Sequence, residues 1–85
     1  MGEGWQMTAQ YTHRQGQFLA FIYYYTKLNG RPPAEHEMEQ YFKVTYSAVH
    51  QMVLMLEKRG LISRMPGQSR SIRLLISREE LADLE

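Results

Sequence analysis

Residues 45–76 decide the fold, and they run TYSAVHQMVLMLEKRGLISRMPGQSRSIRLLI. In the first half of this stretch, Val49, Val53 and Leu56 recur at i, i+4 and i+7, the spacing at which side chains share one face of a helix. The threonine that opens the stretch is a good N-cap residue, and Gly60 is a favourable residue just past a helix end. We therefore predict a helix between these two residues.

The second half of the stretch predicts a β-hairpin. Leu61–Met65 and Ser71–Ile76 are short runs with alternating apolar residues, and residues 66–70, which include Pro, Gly and Ser, separate them as a turn. Because alternate residues of a strand share a face, one face of the second run should cover the helices. That face consists of Ile72, Leu74 and Ile76.

Two further helices are predicted upstream of this stretch. Thr12 and Gln15 fit a capping box at the start of a helix that runs to about Asn29. One apolar stripe at i, i+3, i+4 and i+7 faces the core from this helix: Phe18, Phe21, Ile22 and Tyr25. After Pro32-Pro33, a shorter helix is expected from Ala34 to Tyr41 or Phe42, and the break before the third helix is only Lys43-Val44.

The order of elements is three helices followed by a basic hairpin. Two helices separated by a tight turn, the later one with polar residues at its start, follow the helix-turn-helix plan, and the hairpin makes it a winged variant. We predict an α+β winged helix-turn-helix domain in residues 11–76. Residues 1–10 form an N-terminal extension, and residues 77–85 an acidic tail or short helix.

Length and composition exclude several classes of protein. A chain of 85 residues, 44% of them hydrophobic, is one small domain that can bury a core. It contains no cysteine, which excludes disulfides, thiolate metal sites and cysteine catalysis and suits a reducing interior. No apolar run approaches the ~20 residues of a membrane span, and no export signal is visible. We expect a cytoplasmic protein.

The positive charge is concentrated in one block. Residues 43–78 carry seven Lys or Arg and one Glu, a net charge of +6, whereas residues 79–85 carry −4. A basic block of this kind indicates an acidic partner, most simply nucleic acid or an anionic surface. The alternative is a solvated face that is merely rich in arginine.

Several motifs, in order and at matching spacing, resemble the N-terminal DNA-binding domain of the LexA repressor family. The resemblance extends from about Met7 to Leu75, and these motifs carry it: Thr12-x-Arg14-Gln15, Gly30-x-Pro32-Pro33, Ser47-Ala48-Val49-His50, Leu56-Glu57-Lys58-Arg59-Gly60-Leu61-Ile62 and Arg70-Ser71-Ile72-Arg73-Leu74-Leu75. It implies the winged fold and DNA binding.

The sequence also departs from this family. Lys43 stands where the family usually has glycine, and Met52, Leu54 and Met55 replace positions that are commonly polar. The family's self-cleaving domain has no counterpart in these 85 residues. We therefore expect a stand-alone domain, a fragment, or a relative without the DNA-damage response.

The start of the third helix should contact base edges, because this end of a recognition helix points into the major groove. Position on the helix and the family's base-contacting positions together give five candidates: Tyr46, Ser47, Ala48, His50 and Gln51. The Gln51 amide suits a bidentate pair with adenine, His50 suits guanine or a phosphate, and Ala48 suits a thymine methyl.

Phosphate contacts should come from cations, hydroxyls and amides around this helix and on the hairpin tip. The expected contacts are Arg14, Lys43, Thr45, Arg64, Gln68, Ser69, Arg70 and Arg73. For Arg70, the alternative is a charge that only solvates the turn.

The sequence and its resemblance to the LexA family thus predict a sequence-specific, double-stranded-DNA-binding transcriptional regulator that acts as a repressor. Such a domain would gain affinity by dimerising on a palindromic site. The alternative is a winged-helix protein-interaction module, such as an anti-repressor or assembly factor. Catalysis, metal binding, cofactors and a small-molecule ligand are not predicted, since His13, His36 and His50 fall on separate elements and no phosphate-binding glycine loop occurs.

Overall fold

The computed structural model describes residues 10–85, so residues 1–9, most of the expected N-terminal extension, lie outside the described part. The described residues form three α-helices, a two-stranded antiparallel sheet and one turn of 3₁₀ helix. In chain order these are α1 (His13–Asn29), α2 (Glu35–Phe42), α3 (Tyr46–Lys58), β1 (Ile62–Ser63), β2 (Arg73–Leu74) and the 3₁₀ turn (Arg78–Glu80). The predicted winged helix-turn-helix fold class is confirmed.

The helices begin and end where the sequence predicted. Thr12 Oγ1 accepts a hydrogen bond from the Gln15 amide at 3.1 Å, and Gln15 Oε1 accepts one from the Thr12 amide at 2.9 Å, which completes the capping box. Gly30 ends α1 with φ 75°, the left-handed conformation that glycine adopts at little cost. Thr45 caps α3, since its Oγ1 accepts from the Ala48 amide at 3.1 Å.

The turn between α2 and α3 holds a non-glycine residue in a left-handed conformation. Lys43 has φ 57° and ψ 50°, and its amide donates to the Glu39 carbonyl. This backbone conformation costs a residue with a Cβ roughly 1–2 kcal/mol. The turn is therefore tight but strained.

The core lies between the helices and the inner face of the hairpin. Its largest fully buried side chains come from the three α-helices, from β1 and from the segment before α2: Phe18, Leu19, Ile22, Pro33, Met38, Val49, Val53, Leu56 and Ile62. Ile72 of the hairpin is buried as well, and Leu74 and Ile76 pack against the same cluster, as predicted. Tyr41, next to the last residue of α2, is 43% exposed.

The hairpin strands are much shorter than predicted. Only Ile62 with Leu74 and Ser63 with Arg73 pair, so the expected strands over 61–65 and 71–76 are wrong in extent. The pairing stops because the Met65 amide donates to Ser71 Oγ at 2.9 Å, a side-chain acceptor, and the chain then turns. We call the whole hairpin, residues 61–76, the wing.

The C-terminal segment, residues 77–85, packs along the N-terminal half of α1. The Gln17 side chain is buried and holds two backbone groups of this segment: its Nε2 donates to the Asp83 carbonyl at 2.9 Å, and its Oε1 accepts from the Glu85 amide at 2.8 Å. Tyr11 donates its hydroxyl to the Glu80 carbonyl. Because this segment covers a second side of α1, residues 15–22 are all buried.

Candidate nucleic-acid interface

The first turns of α3 present an exposed polar face. Ser47, Ala48 and Gln51 are exposed, whereas Val49 between them is buried in the core. Residues three and four apart on a helix are neighbours, so these three side chains share one surface. The same face continues toward the end of α3 with Leu54, 38% exposed, and Met55, 47% exposed.

His50 is held in place by an acidic residue of α2. Its Nδ1 lies 3.2 Å from Glu35 Oε1, and its ring stacks on Tyr46 with the ring centroids 5.6 Å apart. The carboxylate can accept from Nδ1, which leaves the other ring nitrogen available to a ligand. Both His50 and Tyr46 are thus oriented before any ligand arrives.

An open cleft of about 390 Å³ separates the start of α3 from the wing tip. Tyr46 and His50 line one side, and Gln68 and Ser69 line the other. The start of α2 forms the third wall. The cleft therefore brings together base-contacting and backbone-contacting candidates that the sequence placed about twenty residues apart.

Arg70 lines this cleft, but Glu37 engages its guanidinium. Nη1 donates to Glu37 Oε1 at 2.8 Å and Nη2 donates to Oε2 at 3.0 Å, a bidentate pair. Nη1 is also 3.2 Å from the Pro32 carbonyl oxygen and 3.3 Å from the Tyr25 hydroxyl. While these contacts hold, the Arg70 side chain fastens the wing to α2.

Glu37 itself accepts hydrogen bonds from α1, from the residue before α2 and from the wing. Besides Arg70, the Tyr25 hydroxyl donates to Oε2 at 2.5 Å and the Ala34 amide donates to Oε1 at 2.7 Å. Burial alone would raise the pKa of the Glu37 carboxyl, but the hydrogen bonds from Arg70, Tyr25 and Ala34 outweigh burial and lower the pKa from 4.5 to about 2. Glu37 therefore stays ionised at any ordinary pH.

The remaining charged backbone-contacting candidates lie on α1, in the α2–α3 turn and on the wing. Lys43 is exposed in the α2–α3 turn, and the Arg14 guanidinium lies 5.1 Å from the ring centroid of Phe42, the last residue of α2. On the wing, Arg73 is exposed, whereas Arg64 Nε donates to Glu57 Oε1 at 3.1 Å. Arg64 lines the cleft beside the start of α3, whereas Arg73 lines a groove at the end of α1.

Sequence reasoning missed two acidic residues of this site. Glu35 and Glu37 of α2 each orient a predicted contact residue, His50 and Arg70 respectively. No local pattern could reveal these pairs, because the partners are 15 and 33 residues apart in the chain.

Between residues 10 and 85, no three His, Cys, Asp or Glu side chains come together in a way that could hold a metal ion. None of the helices described has the length and apolar character needed to cross a membrane.

Three helices, a tight turn before the third and a basic wing beside its exposed start define a winged helix-turn-helix domain. Residues 8–71 match the family model of the LexA DNA binding domain, and the chain belongs to this family.

Two relatives support the same assignment. The LexA repressor of Thermosipho africanus (strain TCF52B) is 44% identical over 64 residues, which cover 75% of this chain and 32% of the relative. The LexA repressor of Thermosipho melanesiensis (strain DSM 12029 / CIP 104789 / BI429) is 39% identical over 70 residues, 82% of this chain and 35% of the relative. The matched part of the chain thus spans about a third of the length of these curated relatives.

Proposed function

We propose that this chain binds double-stranded DNA at specific sequences and acts as a transcriptional repressor. In this proposal α3 enters the major groove and the wing lies on the adjacent backbone; the activity is binding, with no catalytic step. The observation that carries it is the exposed polar start of α3 beside a basic wing, in a chain of the LexA DNA-binding family. The matched relatives are named as repressors.

The base contacts are assigned to the exposed start of α3. Gln51 pairs its amide with an adenine, Ala48 packs on a thymine methyl, and Ser47 donates or accepts at a base edge. His50, held by Glu35, contacts a base or a phosphate from the cleft, and Tyr46 supports its ring. Specificity therefore depends most on Gln51.

The phosphate contacts are assigned to both flanks of α3. On one side these are Arg14 and Lys43, and on the wing they are Gln68, Ser69 and Arg73; Thr45 adds its hydroxyl at the start of α3. Arg64 joins them by exchanging its contact with Glu57 for a phosphate oxygen. Arg70, whose guanidinium is paired with Glu37, acts mainly by holding the wing tip in position.

Selection of bound duplexes from a randomised DNA pool tests this function. The unaltered protein should enrich a defined motif, and Gln51→Ala should relax it at one position, at a cost of roughly 1–3 kcal/mol for the best base there. Gln40→Ala is the matched control, because Gln40 is an exposed glutamine on α2. A palindromic motif would indicate a dimer on half-sites roughly 34 Å apart.

Failure of this selection would favour the second candidate function, a protein-interaction module. The exposed apolar pair Leu54 and Met55 on α3 is the observation behind it. Sequence-blind binding even at low salt, with no enriched motif, would overturn the specific-regulator proposal and direct attention to this apolar pair.

A further inference from the structure

A second group of cations surrounds one tyrosine on α1, away from the start of α3. Arg78 Nε donates to the Tyr23 hydroxyl at 2.9 Å, and its guanidinium lies 5.5 Å from the ring centroid. Lys27 Nζ lies 5.8 Å from the same centroid. Two cations from different parts of the chain thus flank one ring, an arrangement that cation–π attraction stabilises.

A groove of about 450 Å³ adjoins Tyr23 and gathers further positive charge. Lys27, Arg31 and Arg73 line it together with Tyr23, over an apolar floor, and none of its lining residues is acidic. We call Tyr23, Lys27, Arg31, Arg73 and Arg78 the Tyr23 patch. Within residues 10–85, none of its four cations forms a salt bridge.

The Tyr23 patch is continuous with the candidate interface. Its groove shares Pro32 and Arg73 with a neighbouring cleft of about 420 Å³ under the wing. That cleft in turn shares Arg64 and Gln68 with the cleft between α3 and the wing tip. A surface path therefore leads from the start of α3 across the wing to the end of α1.

Some of the cations along this path are paired with acidic residues, and others are not. Arg70 and Arg64 are paired with Glu37 and Glu57, so the cation of the wing that remains unpaired is Arg73, which belongs to the patch. Duplex DNA carries one negative charge per ~1.7 Å of its axis, so a phosphate backbone that continues past the wing would meet further cations there.

We propose that the Tyr23 patch binds the phosphate backbone of the DNA that flanks the site contacted by α3. This inference rests on the proposed function and extends it, because the footprint of the domain then reaches beyond the wing to the end of α1. The continuity of the path favours DNA over an acidic protein segment as the occupant.

The test compares two duplexes that contain the selected motif, one of minimal length and one with about a helical turn (~10 bp) added on each side. The unaltered protein should bind the longer duplex more tightly. Lys27→Ala/Arg31→Ala should lose this gain and bind the short duplex normally. On the longer duplex, losing two phosphate contacts should reduce the log–log salt slope by about 1.8, equivalent to a ~12-fold smaller loss of affinity between 50 and 200 mM salt.

The matched control is Lys58→Ala/Arg59→Ala, which removes the same charge from exposed residues at the end of α3. Neither residue lines any of the three clefts, so length dependence and salt slope should stay as in the unaltered protein. Equal losses in both double variants would show that only net charge matters and would overturn the proposal.

The remaining outcomes separate this inference from the proposed function. Normal binding of both duplexes by Lys27→Ala/Arg31→Ala overturns the patch and leaves the proposed function intact; an acidic protein partner at the patch would give this result. If the unaltered protein recognises neither duplex, both proposals fail.

Discussion

At the scale of single residues, Glu37 is the group on which the wing tip depends. Its two carboxylate oxygens accept from the Arg70 guanidinium, the Tyr25 hydroxyl and the Ala34 amide. One carboxylate thus caps α2 and fastens the wing to it. The pairing also accounts for the left-handed backbone of Arg70, φ 55°, because a bidentate contact can hold a conformation that an unconstrained residue avoids.

Glu37→Gln should lower the free energy of unfolding at neutral pH by about 1–3 kcal/mol, since it weakens hydrogen bonds to a charged group. The pKa of Glu37 is lower in the folded state, so its contribution is fully present above pH 4.5 and is lost as pH falls toward about 2. Urea unfolding as a function of pH measures this. The difference in the free energy of unfolding between Glu37→Gln and the unaltered protein should be constant above pH 4.5 and shrink below it.

Glu39→Gln serves as the control for this titration. Glu39 lies on the same helix, and no hydrogen bond of its side chain occurs within the described residues. The free energy of unfolding of Glu39→Gln should differ much less from that of the unaltered protein at every pH. A Glu37→Gln effect that does not change with pH would contradict the assigned role.

At the scale of elements, the α2–α3 turn combines strain with a proposed contact. Lys43 adopts a left-handed conformation, which glycine adopts at little cost and which costs a residue with a Cβ roughly 1–2 kcal/mol. The turn sets how α3 leaves α2, and its exposed lysine is one of the proposed phosphate contacts. Folding stability therefore favours glycine at position 43, whereas the proposed phosphate contact favours lysine.

Lys43→Gly should change folding stability and DNA binding in opposite directions. Relief of the backbone strain stabilises the folded state, but the larger entropy of the unfolded chain with glycine offsets part of this gain. The free energy of unfolding should therefore rise by about 0.5–1 kcal/mol. Loss of the charge should weaken DNA binding and reduce the log–log salt slope by about 0.9. Urea unfolding and salt-dependent binding measure the two effects. Lys43→Ala is the control, because it removes the charge and keeps the strain; equal stability of the two variants would contradict the account.

At the scale of the whole molecule, the C-terminal segment is part of the folded domain. Leu81 and Leu84 pack against the core cluster, and Gln17 holds the backbone of the segment. A Cβ on Gly16 would lie 2.6 Å from the Tyr11 ring and 3.4 Å from Ala82. The glycine therefore permits the close approach of these groups to α1.

Removal of residues 77–85 should lower the free energy of unfolding by about 2–4 kcal/mol, because two partly buried leucines and their contacts are lost. Urea unfolding measures this. Leu84→Ala in the full chain should give part of the loss, whereas Glu79→Ala, at an exposed position of the same segment, should change little. An unchanged stability after truncation would show that the segment only rests on α1.

Much of the fold could be predicted from neighbouring residues. Thr12 with Gln15, and Thr45 with Ala48, are capping pairs three residues apart, and the apolar stripe of α3 recurs within two turns. These patterns involve residues only a few positions apart, so the helices and their order can be predicted from the sequence. The exposed start of α3 follows too, because its polar residues lie opposite Val49 and Val53.

What the sequence alone determined, then, is the order of elements, the helix ends and the face of α3 that stays exposed. Only the tertiary structure decided which charges are free: Arg70 meets Glu37 across 33 residues, and Arg78 reaches Tyr23 across 55 residues. It also decided that the C-terminal segment docks, since Gln17 binds Asp83 across 66 residues. These contacts depend on how separate elements pack, and the energy of a charged group depends on the partners that packing brings to it.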